Sequence, residues 1–528
     1  MGALGCRPKL RRFMDSGRVP GRLAGCWLLA CCGLACVPLG LSGWMANARA
    51  ADTQVGRQEA AEAQRPNIVW IVVEDMSLPF GCYGERTIRT PHVDALARGG
   101  VRFDRAFVTA PVCSAARSAL ITGMYQTSIG AHHHRSGRGV QKITLPDHVR
   151  LIPRLFRDAG YFVCNTGRVT PPAANAGRQA RRLGKTDYNF EYDAARLYDA
   201  PHWLQRPPGK PFFAQFQLRG GKGRTDKVPR PVDPAQVKLP PYYPDDPVIR
   251  NDWARYLNAA INTDREVGQI VKQLTEAGVR DDTYVFFLTD HGISHARGKQ
   301  FLYDEGMRVP LIVAGPRLPR GTHRGDLVLH LDVAATSLGL AGIPLPAHLQ
   351  GRHLFDAAYK PRTYIVAARD RCDETVDHLR CVRTERYKYI RNFLPNRPYL
   401  QPNAYKDNKE IILRMRELFA AGRLNAAQSL IMRSQRPREE LYDLQADPWE
   451  LHNLAGEADQ RQTLERLRSW LDEWMEQTQD QGRGPESPAM YDSDMQVYLD
   501  TLAKRRPDRL DQIRSNIALM KSWHRGGR

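Results

Sequence analysis

The feature that most constrains the fold is a set of short apolar segments that lack the alternation of half-exposed strands. They are residues 67–73 (NIVWIVV), 283–288 (TYVFFL), 309–313 (VPLIV) and 211–217 (PFFAQFQ). Strands of a sheet that is covered on both faces have this composition, because neither face meets water. The sequence therefore predicts a sheet that is buried on both sides.

Helical patterns lie between these apolar segments, at residues 91–99, 146–160 and 252–278. Strands that alternate with helices on this scale predict an α/β domain over residues 51–358. Residues 170–247 are rich in Pro, Gly and Arg, and this composition predicts long surface loops rather than core.

The region after Pro361 has a different pattern. Short β-like segments at residues 364–367, 381–384 and 387–390 precede an amphipathic helical pattern at 461–477. This order predicts a smaller α+β domain over residues 359–480, followed by a C-terminal tail over residues 481–528.

The first 50 residues have the composition of a targeting segment. Basic residues between positions 7 and 22 precede an apolar stretch at 23–41, and Ala48-Arg49-Ala50 is similar to a cleavage site for a secretory signal. The pattern predicts an exported protein, periplasmic or secreted, with cleavage before Ala51. A membrane anchor that is retained, or a lipid anchor at Cys31, is the alternative.

The amino-acid composition limits which class of protein this is and which partners it favours. A chain of 528 residues with 42% hydrophobic residues buries a large core, which excludes intrinsic disorder for most of its length. The net charge of +20 favours anionic partners such as nucleic acid, an acidic membrane surface or an acidic polysaccharide. Nucleic acid is not favoured, because no groove-reading element accompanies the charge.

Five of the ten cysteines lie in the first 50 residues, and the rest are Cys82, Cys113, Cys164, Cys372 and Cys381. An odd number in an exported protein leaves at least one thiol unpaired or chemically modified. Cys372 and Cys381 are close enough along the chain to form a disulfide, although spacing alone does not establish one.

Acidic residues follow two of the predicted strands directly. Glu74 and Asp75 come after the first strand, and Asp290 and His291 follow the strand at 283–288. Ligands of open α/β sheets sit at the carboxyl ends of strands, so these residues are predicted to share one crevice. Gathered carboxylates repel one another unless a cation neutralises them, and Ca²⁺ or Mg²⁺ prefers such oxygen ligands. The alternative is that they are ordinary loop acids or helix caps.

Cys113 begins a segment that is predicted to be a short helix ending at Gly123. The first turn of a helix offers unpaired N–H donors to an anion and lowers the pKa of a thiol, which makes a nucleophile. Arg117 lies one turn further along the same face. The alternative is a small buried thiol without a chemical role.

The segment Cys113-Ser114-Ala115-Ala116-Arg117 resembles the signature of the formylglycine-dependent sulfatases, in which the cysteine is oxidised to formylglycine (3-oxoalanine). Further segments match motifs of that family in the family's order: residues 66–75 (PNIVWIVVED), 90–97 (TPHVDALA), 118–123 (SALITG), 290–292 (DHG), 298–300 (GKQ) and 440–444 (ELYDL). The resemblance covers nearly all of the chain after the predicted signal.

This resemblance implies an alkaline-phosphatase-like α/β sandwich, with a large mixed sheet between helices, and a smaller C-terminal domain with an antiparallel sheet. It implies that a converting enzyme generates formylglycine from Cys113 and that the hydrated aldehyde attacks sulfur. Arg117 and Lys299 would stabilise charge on the reacting oxygens. The positions that would bind the cation, Ca²⁺ or Mg²⁺, are Glu74, Asp75, Asp290 and His291.

The sequence also departs from the family. The usual Gly-Lys-x-His motif is best matched by Gly184-Lys185-Thr186-Asp187, with Arg168 as a competing candidate for the sulfate-binding cation. Gly220-Gly221-Lys222 stands where the family usually has a histidine. Because two histidines are missing, the proton for the leaving group is assigned to one of several candidates: Lys222, Asp187, His295 or a histidine among His132, His133 and His134.

The segment 130–136 and the overall pattern most resemble bacterial relatives of heparan N-sulfatase. The resemblance implies a hydrolase of sulfate esters or sulfamates on a sulfated saccharide, with Lys222, His134 and His295 as substrate-binding candidates. Two alternatives remain open: a phosphodiesterase or phosphonate hydrolase of the same superfamily, and a non-catalytic protein that binds sulfated polysaccharide.

Overall fold

The structure is a computed structural model that describes residues 65–171 and 182–527. The predicted secretory signal of residues 1–50 lies outside these ranges. Among the described residues, no helix has the length and apolar character needed to cross a membrane.

The described residues form a mixed seven-stranded sheet in the spatial order β3-β4-β1-β5-β6-β2-β7. Strand β1 lies near its centre and pairs in parallel with both β4 and β5, whereas β6 is antiparallel to β5 and β2. The strands are β1 Asn67–Val73, β2 Val101–Phe107, β3 Phe162–Thr166, β4 Phe212–Leu218, β5 Thr283–Thr289, β6 Arg308–Ala314 and β7 Thr322–Leu329.

The uninterrupted apolar character of β1 has a direct structural cause. Ile68, Trp70 and Val72 pack into one hydrophobic cluster, and the alternate residues pack into a second cluster on the opposite face of the sheet. Both faces are therefore buried, as the sequence predicted. The four predicted strands correspond to β1, β4, β5 and β6.

The sequence did not predict the strands β2, β3 and β7. Strand β3 has only five residues, and β2 and β7 carry charged residues on a half-exposed face, among them Arg102 and Arg324. These charges are tolerated because β7 is an edge strand and β2 is its neighbour.

The α-helices that flank the two sheets are α1 Pro91–Arg98, α2 Cys113–Thr122, α3 Ile152–Asp158, α4 Ala194–Leu197, α5 Pro247–Glu276, α6 Asp304–Met307, α7 Asp332–Leu340, α8 Ala404–Asp407, α9 Glu410–Ala420, α10 Ala426–Ser429, α11 Arg461–Gln477, α12 Pro488–Arg505 and α13 Leu510–Arg525. Helix α3 is shorter than the predicted helix at 146–160, because Pro153 fits only the first turn and Leu151 is extended.

A second sheet in the described region contains four antiparallel strands in the order β11-β10-β9-β8. They are β8 Tyr364–Arg369, β9 Leu379–Thr384, β10 Tyr387–Asn392 and β11 Glu439–Asp443. A mixed sheet between helices and a smaller antiparallel sheet confirm the predicted fold class. Cys372 and Cys381 are both buried free thiols, so the possible disulfide between them does not form.

The segment 481–528 contains helices α12 and α13. Tyr491 and Met495 of α12 pack against Ile513, Ile517 and Met520 of α13, and Ala404 belongs to the same cluster. This C-terminal segment is therefore packed against the rest of the protein through α8.

A buried ion pair connects the second sheet to the turn after α11. The Arg380 guanidinium donates to Asp480 at 2.6 Å and to Asp370 at 3.0 Å, and all three side chains are buried. Removing one partner of a buried pair leaves a charge without its counterion.

We expect Asp480→Ala to lower the free energy of unfolding by about 3–5 kcal/mol, measured from the urea midpoint and slope. The matched control is Asp472→Ala. The Asp472 side chain is 60% exposed and forms an ion pair with Arg391. Its expected cost is below about 1 kcal/mol. Equal costs for the two variants would contradict the assignment of the Arg380 pair as a structural element.

Candidate active site

The candidate site lies where β1, β4 and β5 end. Backbone hydrogen bonds continue past the strands: the Glu74 N–H donates to Leu218 O at 3.1 Å, and the Asp290 N–H donates to Val73 O at 2.9 Å. The two acidic segments are thereby fixed side by side. The structure confirms that the acids after the first and fifth strands share one crevice.

The backbone at this edge turns sharply. Asp75 has a φ of 52°, in the left-handed region that Asp tolerates better than most residues. A Cβ atom at Gly221 would overlap the carbonyl oxygen of Asp75, and one at Gly220 would overlap Val73 and Glu74. The two glycines therefore allow the chain after β4 to lie directly against the acidic segment. Lys222 follows them and reaches the site.

Asp75, Asp290, His291 and Cys113 each offer a ligand atom, and these atoms lie within 4.8 Å of one another. His291 Nε2 is 3.0 Å from Asp75 Oδ1 and 3.1 Å from Cys113 Sγ. The two buried carboxylates supply the oxygen ligands that a hard divalent cation prefers, and the imidazole is a further potential ligand. The residues present therefore fit a bound cation next to position 113.

Glu74 lies beside that group but belongs to a different cluster. Its Oε2 atom accepts a hydrogen bond from Lys185 at 2.8 Å and also pairs with Lys222. These lysines lower the pKa of Glu74, against the effect of burial. Its role as a metal ligand stays a prediction.

Cys113 is the first residue of α2, and its thiol is buried. Lys299 Nζ donates to Cys113 Sγ at 3.0 Å and to Asp75 Oδ1 at 3.2 Å. Burial alone would raise the pKa of the Cys113 thiol, but the charges of Lys185, Lys299 and Lys222 lower it to about 6. The position therefore stabilises negative charge.

Arg117 lies one turn after Cys113 and is also buried. Its Nε donates to Asp290 Oδ2 at 3.0 Å and its Nη1 donates to Gln217 Oε1 at 2.6 Å. Its Nη2 is buried and has no hydrogen-bond partner among the described residues. A buried guanidinium donor without a partner is suited to an anionic oxygen.

The structure brings Lys185, Lys222 and Lys299 to the same crevice. Lys222 Nζ lies 4.0 Å from Cys113 Sγ. Of the two candidates for the sulfate-binding cation, Lys185 pairs with Glu74 in the crevice, whereas Arg168 is exposed. Their roles toward a substrate stay predictions.

The two histidines that were predicted to bind substrate, His134 and His295, are placed differently. His134 is buried next to α2, and its Nδ1 lies 2.8 Å from Ser114 Oγ. His295 is fully buried, with its Nε2 2.7 Å from Asp252 Oδ2. The contacts of His295 are therefore with Asp252 and Arg224 rather than with Cys113. Contact of His295 with substrate stays a prediction, and the complete burial of its side chain does not favour it.

Two further residues hold the site and were not predicted from the sequence. Gln217 in β4 accepts from Arg117, and its amide donates to Asn165 at 3.1 Å. The Tyr405 hydroxyl in α8 donates to Asp75 Oδ2 at 3.0 Å. Gln217 is one of two glutamines in a strand whose other residues are apolar, which is a usable signal. Tyr405 is 330 residues from Asp75, and no local pattern indicates it.

The fold defines an alkaline-phosphatase-like α/β protein, and a solved structure from Bacteroides thetaiotaomicron that is described as a sulfatase has the same fold. The TM-score is 0.59 at 22% identity, over 81% of this chain and 96% of the other.

The model of the sulfatase family matches residues 66–343, and the C-terminal model of N-sulphoglucosamine sulphohydrolase matches residues 291–412. The chain belongs to the sulfatase family and is a hydrolase.

Two relatives match most of the chain. An ulvan-active sulfatase of Formosa agariphila is 31% identical over 477 residues, covering 80% of this chain and 77% of the relative. Human N-sulphoglucosamine sulphohydrolase is 26% identical over 462 residues, covering 79% of this chain and 91% of the relative. These matches confirm the resemblance that the sequence motifs indicated.

The packing of Gly221 against Asp75 gives a test of the site's geometry. We expect Gly221→Ala to lower kcat/KM for sulfate release roughly 100-fold, because the added methyl group displaces Asp75. The matched control is Gly456→Ala, where a Cβ atom meets open space. Activity of Gly221→Ala within about twofold of the control would contradict the close approach described here.

Proposed function

We propose that the protein is an exported sulfatase that removes sulfate from a sulfated carbohydrate through a formylglycine made from Cys113 and a bound divalent cation. The observation that carries this proposal is the position of Cys113 within a cluster of buried opposite charges. Ligand atoms of Asp75, Asp290 and His291 lie within 4.8 Å of one another and of its sulfur, and the ammonium of Lys299 contacts that sulfur.

The basic side chains support binding of an anionic group at this point. Arg117, Lys185, Lys222 and Lys299 surround the thiol, and the pKa of Arg117 is raised by Asp290 and Glu74 despite burial. The Arg117 Nη2 donor is directed to an oxygen of the sulfate. Preorganised donors of this kind stabilise charge that develops during the reaction.

Asp75, Asp290 and His291 would hold the cation, with Glu74 as the fourth predicted ligand. The chemistry that Ca²⁺, or Mg²⁺ in its place, supplies when bound is activation of the attacking oxygen and screening of the sulfate charge. The Tyr405 hydroxyl keeps the Asp75 carboxylate oriented through its 3.0 Å hydrogen bond.

Position 113 would carry formylglycine after a separate converting enzyme has acted on the chain. After water adds to the aldehyde, one hydroxyl would attack sulfur and displace the sugar, and loss of the proton from the other hydroxyl would expel sulfate and restore the aldehyde. Lys299 then has two tasks: it lies 3.0 Å from the side chain at position 113 and 3.2 Å from Asp75, so it holds both in place.

The leaving group needs a proton donor that reaches the open side of the crevice. Lys222 meets this requirement, because its side chain is 33% exposed and its Nζ lies near Cys113. The side chains of Asp187 and His134 are almost fully buried. We therefore assign the proton transfer to Lys222 as the first candidate.

The relatives support a sulfated saccharide as the substrate class. One is named as active on ulvan and another as acting on N-sulphoglucosamine. The net charge of +20 also favours a polyanionic chain. We propose an O-sulfated or N-sulfated sugar, and the predicted signal supports action in the periplasm or outside the cell.

The nucleophile is tested by expression together with a formylglycine-generating enzyme, followed by mass spectrometry of the peptide that contains position 113. We expect an aldehyde there and sulfate release from at least one of a panel of sulfated disaccharides. Cys113→Ala should abolish release, and Cys82→Ala, at another free cysteine, should retain it. Unmodified cysteine in an active enzyme would contradict the proposal.

The same panel separates the two alternatives. A phosphodiester or phosphonate ester that reacts faster than every sulfated substrate would identify a phosphodiesterase or phosphonate hydrolase. Binding of sulfated polysaccharide with no release from any substrate would identify a non-catalytic binding protein. Either result would overturn the proposed activity.

The cation is tested by its removal. Dialysis against EDTA should abolish sulfate release, and added Ca²⁺ or Mg²⁺ should restore it. We expect Asp290→Asn to weaken the apparent cation affinity by at least roughly 100-fold, because it removes a ligand charge. The control is Asp281→Asn, an exposed aspartate in the turn before β5, which should bind the cation normally. Full activity after complete metal removal would contradict a cation-dependent mechanism.

A further inference from the structure

Left-handed backbone is concentrated around the active site. In the described parts of the chain, the non-glycine residues with positive φ include five that belong to the site or adjoin it: Asp75, Arg135, Asp187, Gln300 and Asp373. Such conformations cost free energy and persist where the surrounding structure enforces them, often at functional sites. Asp75 has a role in the proposed function as a cation ligand. Asp187 and Gln300 lie next to the active-site lysines Lys185 and Lys299. Arg135 and Asp373 have no role in it.

Arg135 is tied to the residue after the nucleophile. Its backbone N–H donates to Ser114 Oγ at 2.8 Å. The preceding residue, His134, donates its N–H to Arg371 O at 2.8 Å, which joins this loop to the segment that carries Asp373. Arg135 and Asp373 therefore come from two segments that meet beside the first turn of α2.

The two side chains form a pair with unequal exposure. Arg135 Nη1 lies 3.4 Å from Asp373 Oδ1; the arginine side chain is 45% exposed and the aspartate side chain is 6% exposed. Among the described residues, Asp373 is the guanidinium's one hydrogen-bond acceptor. A guanidinium has five N–H donors, so most of them are available to a ligand.

Arg135 is also close enough to the reacting centre to interact with it electrostatically. The pKa of Arg135 is raised first by Asp373, and also by Asp187 and Cys113. The backbone hydrogen bond of Arg135 to Ser114, the residue after position 113, places Arg135 beside the first turn of α2, where the nucleophile lies.

Helix α12 holds these two segments in place. Asp494 accepts a hydrogen bond from the Arg138 N–H at 3.1 Å and from Arg371 Nη2 at 2.6 Å. One carboxylate thus binds both the loop after Arg135 and the residue two positions before Asp373. This contact explains how the left-handed conformations of Arg135 and Asp373 are maintained.

We infer that Arg135, oriented by Asp373, recognises a second anionic substituent on the saccharide, a carboxylate or a further sulfate, next to the sulfate that is removed. This inference rests on the proposed function. A guanidinium suits either group, because it donates two parallel hydrogen bonds to adjacent oxygens.

A cation at the same place is less consistent with the structure. His134, Cys372 and Asp373 offer ligand atoms within 4.8 Å of one another. However, the Arg135 guanidinium is already beside Asp373, and burial raises the pKa of Cys372 to about 12. A protonated thiol next to a positive charge disfavours a metal ion. The available donors favour an anion.

The test compares matched saccharides that carry the same scissile sulfate with no second anion, with a uronate carboxylate, or with a second sulfate. We expect Arg135→Ala to lower kcat/KM roughly 10- to 100-fold for whichever doubly anionic substrate the wild type prefers. The value for the singly sulfated substrate should change by less than about threefold, because the contact is absent from that complex. The preferred substrate identifies the second anion.

Two further variants keep the test specific. Arg135→Lys retains the positive charge but lacks the paired N–H donors of a guanidinium, so it should give an intermediate loss of kcat/KM on the doubly anionic substrate. Arg150→Ala removes an arginine of similar exposure, 48%, from a different part of the surface and should leave all three values unchanged. Unfolding midpoints of the variants verify that they are folded.

The outcomes distinguish a failure of the Arg135 inference from a failure of the proposed sulfatase function. An equal loss on all three substrates, or no loss on any, would overturn the inference and leave the sulfatase activity standing. Wild-type protein with formylglycine at position 113 and no sulfate release from any substrate would overturn the proposed function, and the inference with it.

Discussion

The site depends on the mutual neutralisation of buried charges around one side chain. Asp75 and Asp290 would be costly to bury alone, and so would Arg117 and Lys299. Their direct contacts, 3.0 Å between Arg117 and Asp290 and 3.2 Å between Lys299 and Asp75, keep both sets ionised in the interior. Cys113 lies among these pairs: the Lys299 ammonium contacts its sulfur at 3.0 Å, and Oδ1 of Asp75 lies 3.7 Å from it.

The central sheet makes this arrangement rigid. The acids follow β1 and β5 directly, and hydrogen bonds between the chains after the strands prevent them from separating. Gly220 and Gly221 let the chain after β4 approach the acids, which brings Lys222 into the crevice. Tyr405 completes the arrangement from the C-terminal half. The catalytic geometry is therefore a property of the whole fold rather than of one loop.

Much of this was predictable from local patterns, and the remainder required tertiary structure. Strands β1 and β5 are apolar on both faces, which identifies them, and the acids that follow each strand then predict a shared crevice. Strands β2 and β7 escaped prediction because their charges lie at the edge of the sheet. The ion pairs of Glu74 with Lys185 and Lys222 join three distant segments, and the contact of Tyr405 with Asp75 spans 330 residues. No local pattern encodes such contacts.

The most direct measurement of the central claim is anomalous diffraction from crystals of the formylglycine-containing protein grown with Ca²⁺ or Mn²⁺. We expect one strong peak whose ion lies about 2.3–2.6 Å from oxygens of Asp75 and Asp290 when Ca²⁺ is bound, with the side chain of position 113 next to it. A peak elsewhere, or Asp75 and Asp290 paired only with Lys299 and Arg117 in an active crystal, would contradict the account.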